Sequence, residues 1–130
     1  MLLGKSVLAI SGLAFVAYGG LSLFSPDIPA AIAGLSMQDG DAFAEVAGMY
    51  GGLQTGIGLF CLLALLKQTF YRSGLALLGL TVGSLALARL VGALLTQDPI
   101  SLYTHATFTY EFITAAVAVC AFARTSHDST

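Results

Sequence analysis

The sequence predicts an all-α fold: an integral membrane four-helix bundle with N and C termini cytoplasmic. Three observations predict it. First, 57% of the residues are hydrophobic and only 9% are charged, with a mean hydropathy of +0.88. Soluble domains carry about a quarter charged residues, and a chain this short exposes too much surface to leave so little of it charged. Second, four apolar runs approach or reach the ~20 helical residues needed to cross a hydrocarbon core of about 30 Å. Third, the charges between those runs sort by sign onto two sides.

The first run covers residues 7–24, just after Lys5. Lys5 with Ala31-Ile32-Ala33 would also suit a cleaved secretory signal, but the run exceeds a normal signal core. It is therefore predicted as a retained span. Ser25-Pro26-Asp27-Ile28-Pro29 stops it. The following stretch, Ala30 to Leu35, is apolar but too short to span, and is predicted as a helical turn or two at the interface. The second run covers 46–66 and ends at Lys67. The third covers 75–95, after Arg72, and the fourth covers 102–123, ended by Arg124. Residues 1–124 thus form one domain, with 125–130 as a polar, fraying tail. Strands are excluded because the runs are about twice the length of barrel strands and do not alternate.

Lys5, Lys67, Arg72 and Arg124 fall on one side of a four-span chain, and Asp27, Asp39, Asp41 and Asp98 on the other. An excess of basic residues marks the cytoplasmic side, which places both termini there. Three or five spans would scatter the basic residues.

Several function classes drop out. A net charge of -2 without a basic stripe argues against nucleic acid as a partner. No phosphate-binding loop, dinucleotide fingerprint or nucleophile elbow is present. Cys61 and Cys120 lie inside apolar runs and are expected to be buried small hydrophobes. His105 has no second ligand at metal-binding spacing, so no metal is expected, and no cofactor is implied. Tyr18, Tyr71 and Tyr103 fall near span ends, where tyrosines anchor helices to the interface.

Small residues recur every fourth position in the second run, at Ala44, Gly48, Gly52 and Gly56. Such a stripe lets a neighbouring backbone approach closely. The expectation is contact within the bundle, with a homodimer seam as the alternative. Gly79 and Gly83 are the corresponding pair in the third run.

Glu45, Arg89 and Glu111 are the fixed charges within or at the edge of the spans. Each is costly in lipid unless paired or wetted. Arg89 sits about 9 Å below the outer boundary and Glu111 about 14 Å, at 1.5 Å of rise per residue. Thr104, Thr107, Thr114 and Ala115 share the face of Glu111, a polar and small stripe suited to an interior. Gly48, Met49 and Gly52 share the face of Glu45. An inward cluster centred on Arg89 is expected, with Tyr50, Gln54 and Tyr110 as further partners. It reads first as a buried ion-pair network that fixes helix register, because one arginine between two carboxylates satisfies itself. A ligand or catalytic pocket and a subunit contact surface are the other readings.

The segment Met49-Tyr50-Gly51-Gly52-Leu53-Gln54-Thr55-Gly56-Ile57-Gly58-Leu59-Phe60 resembles the YGGLxxGxGLF signature of a family of small bacterial four-helix membrane proteins, domain of unknown function 4345. Leu85-Ala86-Leu87-Ala88-Arg89-Leu90 is similar to the family's small-and-leucine stretch leading to an arginine, and Tyr110-Glu111 resembles the acidic residue expected in its last helix. Many relatives carry a basic residue shortly before the tyrosine, where this chain has Ala47 and Gly48. The resemblance implies a multi-pass protein of the bacterial inner membrane and brings no established activity.

Two functions are expected. One is a structural or accessory subunit of a larger membrane complex, leaning away from an enzyme, with membrane lipids and other membrane subunits or a second copy as partners. The alternative is an enzyme or carrier for a small molecule or lipid, using Glu45, Arg89 and Glu111. An open cavity reaching those residues would favour the alternative. A proton-coupled transporter finds neither inverted repeats nor broken helices in the sequence.

Overall fold

The computed structural model describes residues 1–127, with side chains described through Thr125. It contains α1 (Leu2–Phe24), α2 (Asp27–Ala33), α3 (Gly40–Leu66), α4 (Gln68–Leu95) and α5 (Leu102–His127), with no strand among the described residues. Four of these helices are long and apolar enough to cross a membrane: Leu2–Phe24, Gly40–Leu66, Gln68–Leu95 and, in α5, Leu102–Thr125. They outrun the apolar stretches seen in the sequence, because helix continues into the polar turns at either end. The first residues of the expected tail are helical, and 128–130 lie outside the described residues.

Local chemistry sets the helix ends. Gly34 closes α2 at φ 71°, a left-handed position suited to glycine. Leu35 N–H then donates to Ala30 O at 2.8 Å. Asp39 caps α3 by accepting from Ala42 N–H at 2.9 Å. Lys67 alone, extended at φ -114°, separates α3 from α4 and turns the chain back on itself. Inside α3, Ala47–Gly52 form a wide π turn in which Leu53 N–H donates to Gly48 O, five residues back.

α1 packs on α3 and α5, and α4 packs on α3 and α5. The α1–α3 seam is built on glycine. Gly12 and Gly19 face Gly58 and Gly51, so equal seven-residue spacings match across an antiparallel pair. A methyl group on Gly58 would fall 2.7 Å from Val16 N and 2.9 Å from Gly12 O. One on Gly19 would fall 2.6 Å from Thr55 N. Gly79 and Gly83 of α4 rest against Val119 and Ala115 of α5. Leu8, Leu75, Leu78, Val82, Cys61 and Ala118 fill the core between these pairs.

At one end of the bundle, Tyr71 Oη donates to Met1 O at 3.1 Å, and the Arg72 guanidinium lies 4.6 Å from the Phe122 ring centroid. The start of α1, the start of α4 and the end of α5 therefore meet there. Lys5, Lys67, Arg72 and Arg124 share this basic end, whereas Asp27, Asp39, Asp41 and Asp98 lie in or beside the connections at the other, acidic end. The outer surface is apolar: Ile10, Leu13, Leu80, Leu94 and Phe112 are all exposed. Only 22–33% of each apolar window is buried inside the chain, so most of this apolar surface faces outward, as suits helices able to cross a membrane. Hydroxyls along the helices turn back onto their own backbone, as Ser22 does onto Tyr18 O at 2.8 Å and Thr109 onto His105 O at 2.8 Å.

Three expectations meet a different arrangement. Gly48, Gly52 and Gly56 have nothing within 4 Å of where a side chain would begin. Their stripe faces outward, because α1 selects the adjacent stripe of Gly51, Thr55 and Gly58, whose spacing matches its own glycines. Cys120 is exposed on the apolar flank, while Cys61 is buried. Tyr71 is buried, with its ring lying over Gly4, so it fastens two helix starts together rather than anchoring a span to an interface.

Candidate functional site

Arg89 projects from α4 on the face of Val82 and Ala86, both buried. Glu111 projects from α5 on the face of Thr107, Thr114 and Ala118. The two faces oppose, and the side chains meet in a bidentate pair. Arg89 Nε donates to Glu111 Oε2 at 2.9 Å, and Nη2 donates to Oε1 at 2.7 Å. Parallel charged hydrogen bonds of this kind are short, directional and strong. Glu111 is 5% exposed; the Arg89 side chain is 24% exposed. The Arg89 Nη1 edge makes no hydrogen bond among the described residues. The guanidinium carbon lies 6.0 Å from the Tyr103 ring centroid, the outer limit of a cation–π contact.

This pair borders a cavity of about 730 Å³ enclosed by four helices. α1 contributes Phe15 and Tyr18, and α3 contributes Tyr50, Gln54 and Ile57. Leu80, Val82 and Leu85 come with Arg89 from α4, and Tyr103 and Tyr110 come with Glu111 from α5. Polar groups gather around the ion pair, and the remaining wall is hydrocarbon. Tyr18 and Tyr103 line the cavity beside Tyr50 and Arg89. The side chains of Tyr50, Gln54 and Tyr110 have no hydrogen-bond partner among the described residues. Thr81 and Thr107 also line the cavity, but their hydroxyls are committed to Leu77 O and Tyr103 O, each at 2.7 Å. The wide turn in α3 carries Met49 and Tyr50 into the cavity wall.

The cavity wall reaches the outer flank of the bundle. Met49, Leu53 and Leu80 belong to its wall and are each half exposed or more. A second, shallower groove runs along the same flank. Gly52, Gly56 and Phe60 of α3 face Ser73 and Leu77 of α4 there, and the groove shares Leu53 and Ile57 with the cavity.

Of the residues singled out from the sequence, Arg89, Glu111, Tyr50, Gln54 and Tyr110 are brought together around one space. Glu45 is not. It is exposed near the start of α3, on the outward face with Gly48 and Gly52, and does not line the cavity. The charged cluster is therefore a pair. Tyr18 and Tyr103 belong to the site, although their positions near span ends suggested interface anchors. Helical spacing carries the missing signal: Tyr103, Thr107 and Glu111 recur at four-residue intervals on one face. Among the described residues, no group of three or more His, Cys, Asp or Glu could hold a metal ion.

No curated protein and no solved structure matches the sequence. The family comparison does match, across almost the whole bundle, from Gly4 in the first turn of α1 to Phe122 beside Arg72. By that match over residues 4–122, the chain belongs to the family described as domain of unknown function DUF4345.

Proposed function

We propose that this protein is a multi-pass membrane protein that binds an amphiphilic small molecule within the bilayer, as a carrier, sensor or enzyme for a lipophilic compound. The observation that carries the reading is the cavity of about 730 Å³ reached by the bidentate Arg89–Glu111 pair. Its size and its mix of hydrocarbon wall with a few convergent polar groups are those of small-molecule sites, which run about 300–1,000 Å³. A network serving only to lock helix register would gain nothing from a large adjoining space, since dense interiors are the rule. Four exposed apolar helices support a lipid-facing flank, through which a hydrophobic ligand would enter without crossing water. The excess of basic residues at one end supports an orientation with both termini cytoplasmic. The family resemblance points to a bacterial inner membrane.

The test is direct. The full chain, purified in mild detergent from its native membrane, is extracted with organic solvent, and the extract is compared by mass spectrometry with that of an Ala14→Phe variant, which adds a ring where Ala14 of α1 lines the cavity. A compound enriched with the wild type and depleted with the variant is expected. Identical extracts would remove the support for a binding cavity.

The accessory-subunit reading draws on one observation, the outward stripe of Gly48, Gly52 and Gly56 beside the α3–α4 groove. Small residues at this spacing suit close approach of another subunit's transmembrane helix. Migration as a free single chain in native membranes would count against it.

A further inference from the structure

The chemistry around the cavity restricts what its ligand can be. This argument rests on the cavity being a binding site. Of the described residues that line it, only Arg89 and Glu111 carry charge, and they neutralise each other through both Glu111 oxygens. A carboxylate or phosphate head entering beside this pair would bring one negative charge in excess into a poorly solvated space, where unpaired charge is strongly disfavoured. An anion could reach the free Nη1 edge, but the arginine's charge is already balanced by Glu111, and only displacing that carboxylate, leaving it buried and alone, would free the charge for the ligand. A cation would meet the same difficulty with the arginine. A neutral head leaves the pair intact.

The remaining groups favour an acceptor. The Arg89 Nη1 edge carries unused N–H donors, and Tyr50, Tyr110 and the Gln54 amide can donate as well. They come from three different helices, so they converge on the space from different directions. Glu111 already receives a hydrogen bond at each oxygen. Donors therefore outnumber the acceptor sites left on Glu111 and the Gln54 carbonyl, and a head with carbonyl oxygens would satisfy them without introducing charge. The hydrocarbon wall of Phe15, Leu53, Ile57, Leu80 and Leu85 would hold the rest of the molecule.

We infer that the cavity selects a neutral lipophile whose head bears carbonyl oxygens, the quinone class among them, and rejects anionic lipids and fatty acids.

The composition of the chain supplies a probe. It contains no tryptophan and five tyrosines, and four of these, Tyr18, Tyr50, Tyr103 and Tyr110, line the cavity. Tyrosine emission therefore reports chiefly on the site, with Tyr71 at the other end of the bundle as an internal reference. The full chain in detergent micelles is titrated with decylubiquinone, which quenches tyrosine. Competition then follows with 2-tridecanone, a neutral ketone, and with oleate at pH 8; thermal stability is recorded for every addition. Saturable quenching that spares part of the emission is expected, reversed by the ketone at least about tenfold more effectively than by oleate. The double variant Tyr50→Phe/Gln54→Leu should bind the quinone about tenfold more weakly, having lost two donors. Displacement by oleate in preference to the ketone would overturn the inference while leaving the cavity a binding site. Quenching that never saturates, or is unchanged in both the double variant and Ala14→Phe, with no stabilisation by any of the three compounds, would overturn the inference and the binding reading together.

Discussion

Arg89 and Glu111 were legible in the sequence for an energetic reason: an ionisable group deep in an apolar helix persists only with a partner. Their depths, computed from helical rise, put them within reach of one another, and they meet through two hydrogen bonds of 2.7 and 2.9 Å. Glu45 was less legible. It stands near a helix start, where a carboxylate tolerates the interface, and its glycine-rich face looked inward only on the assumption that glycine stripes are always used. The consequences differ sharply. Arg89→Ala should strand a buried carboxylate and destabilise the protein by about 3–5 kcal/mol, measured as lower folded yield and a lower unfolding temperature in detergent. Arg89→Lys should recover part of this, since it keeps the charge but lacks the fork that engages both oxygens. Glu45→Ala should stay within about 0.5 kcal/mol of wild type. Wild-type stability of Arg89→Ala would argue that the ion pair does not hold the bundle together.

At the scale of elements, α3 is the informative helix. It carries two small-residue stripes, Gly48/Gly52/Gly56 and Gly51/Thr55/Gly58. Counting every fourth residue finds the first, but the bundle uses the second. The choice was present in the sequence as a relation between two helices: Gly12 and Gly19 in α1 share the spacing of Gly51 and Gly58. A single-helix pattern cannot reveal it. The wide turn at Ala47–Gly52 was not legible at all, because no residue type dictates a π turn. It keeps Val46 buried and in line with Gly51, where a regular helix would bring Ala47 instead. Gly58→Ala should cost about 1–3 kcal/mol through overpacking, since its methyl group would meet backbone atoms of α1. Gly56→Ala should be neutral or slightly stabilising, because helix propensity favours alanine and nothing stands in the way. Thermal melts of the two variants in one detergent decide the point.

For the molecule as a whole, the four long helices and their order followed from composition and run length alone. Both the amount of apolar residue and its distribution suit helices long and apolar enough to cross a membrane. The sequence could not show that the bundle would stop short of filling its own interior. A cavity is a property of four helices together, and its lining residues are spread over all of them. The proposed orientation, with both termini and Lys67 on one face, predicts that reporters at either end share one side, with a reporter inserted at 96–101 on the opposite side. Reporter ends on opposite sides would require an odd number of crossings and would break the antiparallel pairing of α1 with α3. The reach of the cavity wall to the apolar flank has a thermodynamic consequence for the proposed site. A ligand that arrives through the flank equilibrates with the lipid phase, so occupancy should follow its mole fraction there rather than its aqueous concentration. Diluting proteoliposomes with buffer should then leave the site filled, whereas fusing them with ligand-free vesicles should empty it.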